Sequence, residues 1–309
     1  MGSTNGKSGE TSCALAKDGN CPGSSACGQP EASSCGQSAD KKSGLDLLPV
    51  NDYSEIGRVV AVASGKGGVG KSSVTALLAV ALARRGRRVG VLDADLTGPS
   101  IPKIFGLSGR PGVIGQALAP VESASLGIRV MSINLMLEQE DEPVIWRGPI
   151  IGGVIKQFWN DVAWGKLDYL LIDLPPGTGD APLTVMQSIP VDAVVMVSSP
   201  QALAGMIVRK AIKMTNIMNV PIAGLVENMS YATCPKCNEH YELFGPSRAE
   251  EISAETGLAV LGKLPLDSAV AALADRGQIE QYEADHLPNL AIRFEDRMNE
   301  LPKRPSITA

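Results

Sequence analysis

The run Gly65-Lys66-Gly67-Gly68-Val69-Gly70-Lys71-Ser72 fits the pattern G-x-x-x-x-G-K-[ST], and Ser73 extends it. Each residue type has a task in such a loop. The glycines let backbone N–H groups turn inward around phosphate oxygens, and the N-terminus of the helix that follows adds partial positive charge. Lys71 is placed to reach the β- and γ-phosphates of ATP, and the Ser72 hydroxyl to ligate Mg²⁺. Lys66 is a second lysine in the same loop, where its charge would duplicate that of Lys71. A cation redundant in its own site is expected to point outward, toward a nucleotide held by a second copy of the chain, as an arginine finger does in trans.

Two acidic segments and one pair of thiols carry the remaining chemistry. "LDADLTGPS" ends an apolar run with Asp93 and Asp95, and "LLIDLPPGTGD" ends another with Asp173. A carboxylate at the end of an apolar strand is where a P-loop site keeps its metal ligand, so Asp173 is expected to hold Mg²⁺ through water. Gly177 and Gly179 give the following segment the freedom of a switch loop. Cys234-Pro235-Lys236-Cys237 is C-x-x-C, a spacing that lets two thiolates bind one metal centre. It suits half of a zinc site, a redox dithiol or half of an iron–sulfur site. Zinc asks for four ligands, and beyond nearby His240 the folded part offers no evident fourth. A redox pair should open a helix, which this polar segment does not suggest. A two-fold axis beside the loop would bring two copies together and supply four thiolates for one [4Fe–4S] cluster.

These groups must be positioned by strands and helices that alternate along the chain. Short apolar runs at 58–64, 88–93, 129–134, 168–173, 192–199, 221–228 and 259–265 read as strands buried on both faces. Helix-length segments lie at 71–85, 150–160, 181–188, 203–217, 245–256 and 268–276. The alternation predicts a doubly wound α/β domain over residues 45–309, with a mostly parallel sheet of about seven or eight strands flanked by helices. Near the C-terminus, Leu290, Phe294, Met298 and Leu301 form one helical stripe, expected to pack on the domain. Residues 1–44 are rich in Gly and Ser with almost no large aliphatic side chains, and are expected to form a flexible tail.

Bulk composition narrows the function classes. The 309 residues are 44% apolar, carry a formal charge of -5 and contain no apolar run of membrane-spanning length. Neither a nucleic acid nor a membrane is expected as a partner, because the basic runs at Arg84-Arg85, Arg87-Arg88 and Lys303-Arg304 are short and read as solvated surface. No charged-then-apolar leader opens the sequence, and Gly6 does not fit a myristoylation signal. The expected location is cytoplasmic, where six cysteines stay available for metal or redox chemistry.

"GKGGVGKS", with Lys66 in the second position, resembles the deviant P-loop of the MinD-like ATPases. Together with "DADLTGPSIP" (93–102), "WRGP" (146–149), "DLPPGTGD" (173–180), "ENMS" (227–230) and the late C-x-x-C, the chain resembles the Mrp/ApbC family of ATP-binding iron–sulfur cluster carriers over about residues 45–300. That resemblance implies a homodimer in which Lys66 contacts the partner's ATP. It implies that Asp95 orients or deprotonates the attacking water, that Asp93 supports the metal shell, and that Asn228 reads the adenine edge with "PLD" (265–267) closing the other side. It further implies that Cys234 and Cys237 of two chains share a labile [4Fe–4S] cluster, passed to apo iron–sulfur proteins and cluster-assembly factors under control of ATP binding or hydrolysis. Cys13, Cys21, Cys27 and Cys35 are spaced by seven, five and seven residues between neighbours. Some relatives carry an N-terminal four-cysteine cluster site with a central C-x-x-C, a spacing this tail lacks; a second cluster on these four thiols stays open, since loop closure over such distances costs only about a few kcal/mol. A MinD/ParA-like positioning ATPase without a cluster is the rival reading; it would rely on a basic amphipathic C-terminal helix or a DNA-binding patch and would not need C-x-x-C.

Overall fold

The computed structural model describes residues 47–95, 98, 100–137, 148–177, 179–201 and 203–304. The four tail cysteines and Trp146-Arg147 of the "WRGP" segment lie outside these residues.

Strand β1 (Ser54–Ser64) runs into the glycine loop, from which α1 (Lys71–Arg84) emerges, and β2 (Val89–Asp93) follows. Then come α2 (Ile101–Phe105), a hairpin of β3 (Gly112–Ile114) and β4 (Ala117–Ala119), and the pair β5 (Val121–Glu122) and β6 (Arg129–Met131). The alternation continues through α3 (Gly148–Asn160), β7 (Gly165–Asp173), α4 (Asp180–Ser188), β8 (Ala193–Ser198), α5 (Leu203–Ile217) and β9 (Ile222–Thr233). It ends with β10 (His240–Tyr241), α6 (Ala249–Thr256), β11 (Val260–Pro265), α7 (Ser268–Asp275) and α8 (His286–Glu300).

Each of the seven expected apolar runs contains a strand, but the run at 129–134 is extended only over Arg129–Met131 and turns into a 3₁₀ helix at Ile133–Leu135. In space the order is β10-β9-β8-β1-β7-β2-β6-β5, with β11 on the other side of β9, making nine strands in this sheet. The excess over the expected count comes from β5 and β10, two-residue antiparallel additions too short to leave a periodic signal. The central pairings are parallel, as crossovers through helices require.

The pleat of the central strands sorts their side chains into two cores. Val60 and Val62 of β1 and Leu171 of β7 face α1 and α8, where they meet Leu78, Leu82 and Phe294. Val59, Ala61, Ala63, Leu170 and Ile172 face the opposite layer and meet Ile155, Trp159, Trp164 and Met186. Truncating a fully buried ring such as Phe294 to alanine costs about 3–5 kcal/mol, so these layers fix where the strand ends lie. All nine residues from Val74 to Leu82 of α1 are buried, because sheet, α2 and α8 enclose this helix. The helix stops at Gly86, whose φ of +80° suits glycine.

The C-terminal stripe packs as expected, with Leu290, Phe294 and Met298 of α8 buried against α1 and β11. The basic run after α1 is exposed, as expected of solvated surface, and its guanidinium groups also reach carboxylates. Arg85 Nε and Arg87 Nε each donate to the nearly buried Glu295 carboxylate at 2.6 Å, and Arg88 pairs with Asp168 at 2.8 Å. These arginines clamp α8 and β7 to the end of α1.

Candidate functional site

Strands β1, β7 and β2 lie side by side, and their register sets Val62 beside Asp173 and Asp173 beside Asp93. The chain therefore leaves β1 into the glycine loop directly beside the carboxylates that end the two neighbouring strands. Gly68 and Gly70 take φ of +80° and +76°, in the left-handed region that favours glycine. A Cβ on Gly70 would also run into the Asn228 Nδ2. Gly65 and Gly67 complete the turn, and Val69 is anchored in the core at 2% exposure.

Lys71 is nearly buried, with its Nζ 2.7 Å from Asp173 Oδ2 and 3.7 Å from Asp95 Oδ2. Ser72 Oγ donates to Asp173 Oδ2 at 2.6 Å, and Thr75 Oγ1 donates to Asp173 Oδ1 at 2.7 Å. The fully buried Asp173 carboxylate is thus surrounded by a cation and two hydroxyls from one face of α1. Hard oxygen donors from Ser72 and Asp173, set beside the Lys71 ammonium, are a donor set suited to Mg²⁺. Thr75 was not among the expected residues. Its position one helical turn after Lys71 was the available signal.

Asp93 sits deeper. Its carboxylate accepts from the Asp95 N–H at 3.2 Å, the Ile101 N–H at 3.4 Å and Ser132 Oγ at 3.1 Å. Burial, and then the Asp173 charge, push the Asp93 carboxyl well above the usual range. Asp93 braces the turn that carries Asp95. Lys66, expected to project away from its own chain, donates to Gln201 Oε1 just beyond β8. The switch segment is tied to the loop as well: Gly177, at φ +93°, donates its N–H to the Ser64 carbonyl at 2.9 Å.

Beside Gly70 and Ser73 lies a cavity of about 120 Å³ that brings together Asn228 and the "PLD" segment, as expected, with Leu77, Tyr282 and His286 in addition. Asn228 Nδ2 donates to the Val69 carbonyl at 2.9 Å. A carbonyl only accepts, so the amide nitrogen is committed to the loop and Oδ1 remains the acceptor end. Tyr282 donates to Asp267 Oδ2 at 3.0 Å, and Asp267 Oδ1 caps α7 through the Ala269 N–H at 2.8 Å. Tyr282 and His286 lie far along the chain from the loop and had no sequence signal.

The cysteines form a different kind of site. Cys234 directly follows β9, its N–H donates to the Glu239 carbonyl at 2.9 Å, and its carbonyl accepts from the Asn238 N–H at 2.9 Å. Asn238, at φ +58°, closes this knuckle, and β10 returns alongside Ala232 and Thr233. Cys234 is half-buried and Cys237 exposed. The Lys236 and Cys237 N–H groups, joined by the Cys237 side chain, hydrogen-bond the Cys234 sulfur and hold its thiol below the ordinary range. Amide donors aimed at a sulfur favour the thiolate, the form that binds metals. The pair opens no helix, since α6 begins only at Ala249. The His240 ring stacks on Tyr231 with centroids 4.5 Å apart. Among the described residues no group of three or more His, Cys, Asp or Glu side chains is disposed to hold a metal.

A family model described as ParA, NUBPL iron-transfer P-loop NTPase, matches residues 55–298. The chain belongs to this family. Among curated relatives of this P-loop NTPase, an iron–sulfur cluster carrier protein of Clostridium perfringens is 45% identical over 252 residues, covering 79% of this chain and 88% of the relative. One of Methanocaldococcus jannaschii is 44% identical over 250 residues, covering 80% and 86%. A nucleotide-binding protein of Archaeoglobus fulgidus, solved in complex with ADP, superposes with a TM-score of 0.68 at 49% identity, over 74% of this chain and 90% of that one. The cell-division ATPase MinD of Pyrococcus furiosus superposes with a TM-score of 0.57 at 23% identity over 78% and 99%, a likeness of fold alone. The family and its neighbours carry the mostly parallel, helix-flanked sheet described above. No helix among the described residues of this NTPase is long and apolar enough to cross a membrane.

Proposed function

We propose that this NTPase is an ATP-dependent iron–sulfur cluster carrier, in which two copies pair, share one [4Fe–4S] cluster through Cys234 and Cys237 of each, and pass it to apo iron–sulfur proteins and cluster-assembly factors in the cytoplasm. The observation that carries this reading is the Cys234–Cys237 knuckle, a thiolate-stabilising turn at the surface that offers two ligands per chain. Four thiolates complete a cubane cluster, and a surface position gives the recipient protein access to it. The names of the relatives in Clostridium perfringens and Methanocaldococcus jannaschii point the same way.

The nucleotide site supplies the timing. Lys71 binds the β- and γ-phosphates, exchanging its ion pair with Asp173 for phosphate oxygens. Ser72 and Asp173 would hold Mg²⁺, which would supply charge neutralisation at the phosphates. Asp95, 3.7 Å from the Lys71 Nζ, orients or deprotonates the attacking water. Lys66 exchanges Gln201 for the nucleotide of the partner copy, which makes hydrolysis depend on pairing. Asn228 Oδ1 accepts from the exocyclic amine of adenine, a donor that guanine lacks at that position. Hydrolysis then loosens the "PPGTGD" segment and gates cluster transfer.

Anaerobic reconstitution with iron and sulfide tests the cluster site. Wild type is expected to gain a brown chromophore and about four irons per two chains. Cys234→Ala and Cys237→Ala are expected to gain neither. Equal absorbance in all three proteins would remove the bridging site.

A further inference from the structure

The cavity beside the glycine loop contains one polar atom that the reading above leaves unused. Three of its polar side chains are engaged within the chain: Asn228 donates to Val69, Tyr282 donates to Asp267, and Asp267 accepts from Ala269. His286, the first residue of α8, lines the same cavity, and its Nε2 is buried with no hydrogen-bond partner. Of the buried side-chain polar atoms without a partner among the described residues, it alone belongs to this cavity's lining. Buried polar atoms are almost always paired, and an orphan calls for an explanation such as a ligand. The ring is fixed from one side by Tyr282, with centroids 6.0 Å apart and planes at 48°. Burial also holds the imidazole below its ordinary pKa, so at neutral pH the ring is uncharged and one nitrogen donates while the other accepts.

A nucleobase suits such a surrounding. The walls are apolar, formed by Leu77, Leu264, Pro265 and Val270, and accept the faces of a flat ring, while the polar atoms meet its edge. We propose that His286 is a base-reading residue, whose Nε2–H donates to a ring nitrogen of adenine in this cavity while Asn228 accepts from the exocyclic amine. Two contacts of opposite sense then define the base, one asking for a donor and the other for an acceptor. The inference rests on the reading that the base of the nucleotide occupies this cavity.

The chain contains two histidines, His240 and His286, so imidazole resonances of the full-length, ¹⁵N-histidine-labelled protein are few, and a His240→Gln variant assigns them. Titration with Mg²⁺-ADP is expected to shift the His286 Nε2 resonance, whereas Mg²⁺-pyrophosphate, which fills the phosphate loop without a base, leaves it in place. His286→Leu is expected to weaken ADP binding about 10-fold, the worth of one hydrogen bond, while pyrophosphate affinity stays at the wild-type value. His286→Gln, which keeps a donor, is expected to recover part of the loss. An Nε2 resonance that does not move at saturating ADP, or wild-type ADP affinity in His286→Leu, overturns the role of His286 while leaving the base pocket standing. Wild-type protein that binds pyrophosphate as tightly as ADP removes the base pocket itself, and this inference with it.

Discussion

Asp173 is the last residue of β7 and Cys234 directly follows β9, so both stand at carboxyl ends of strands in one sheet. Their surroundings are opposite. Asp173 is fully buried between β1 and β2 and is met by Lys71, Ser72 and Thr75 of its own chain. Cys234 opens the turn between β9 and the two-residue β10 at the sheet's margin, and its sulfur is met mostly by backbone N–H groups. Phosphate chemistry needs fixed dipoles in a dry place, and the central strands provide that place. A cargo that must leave needs the reverse: access, and a ligand set that one chain does not complete. Lys66 belongs with the cysteines in this respect, because its proposed target is also on another copy.

That contrast can be broken at several points. Lys66→Ala should remove stimulated ATP hydrolysis by ~10³–10⁵-fold, the worth of a charged finger in trans, with nucleotide affinity largely kept. Turnover at the wild-type rate would show that the loop is complete in one chain. Lys71→Ala leaves the Asp173 charge buried without its cation and should cost about 3–5 kcal/mol in urea unfolding. Adding Asp173→Ala should return part of that loss, and a double variant no more stable than the single would mean the two charges are not coupled.

Gly70→Ala should cost about 1–3 kcal/mol and weaken ADP binding, since it strains a φ of +76° and displaces Asn228. Gly67→Ala, whose Cβ meets open space, should cost less, and equal losses would contradict the close packing of Asn228 on the loop. At the exposed end, Cys237→Ala should leave unfolding stability within about 0.5 kcal/mol of wild type, although cluster binding is lost. A large destabilisation there would make the hairpin part of the core. Because amide donors favour the thiolate, Cys234 should alkylate with a midpoint below the ~8.5 of an ordinary thiol, followed residue by residue by mass spectrometry. A midpoint at or above that value would mean that the knuckle does not stabilise the sulfur.

The parts of this architecture that were legible in the sequence are those whose signal is local. The loop, the helix it opens and the seven apolar strands are each written in consecutive residues: the run expected over 88–93 is Val89–Asp93, and the helix expected over 203–217 is Leu203–Ile217. α2, at five residues, and β10, at two, are too short for a period to appear. The cavity shows the other limit. Asn228 and the "PLD" segment came from a resemblance, whereas His286 arrives through the packing of α8 and Tyr282 through the segment just before it, placements that depend on contacts between residues far apart in sequence. The bond from Lys66 to Gln201 is likewise set by the β1–β8 pairing and is invisible in either segment alone.

β9 joins the two regions. It carries Asn228 under the glycine loop and leads into Cys234, a span of about 20 Å at ~3.3 Å per residue, along which β11 pairs as far as Tyr231 and β10 pairs Ala232 and Thr233, the β8 ladder having ended at Glu227. An extended ribbon held by its neighbours does not stretch. Just past Asn228, Met229 adopts φ +57°, and the register with β11 slips between Lys263 and Pro265. The proposed base site and the thiols therefore hang from one tie rod with a joint near Asn228, and the angle of that joint governs how much of any movement at Asn228 arrives at the thiols.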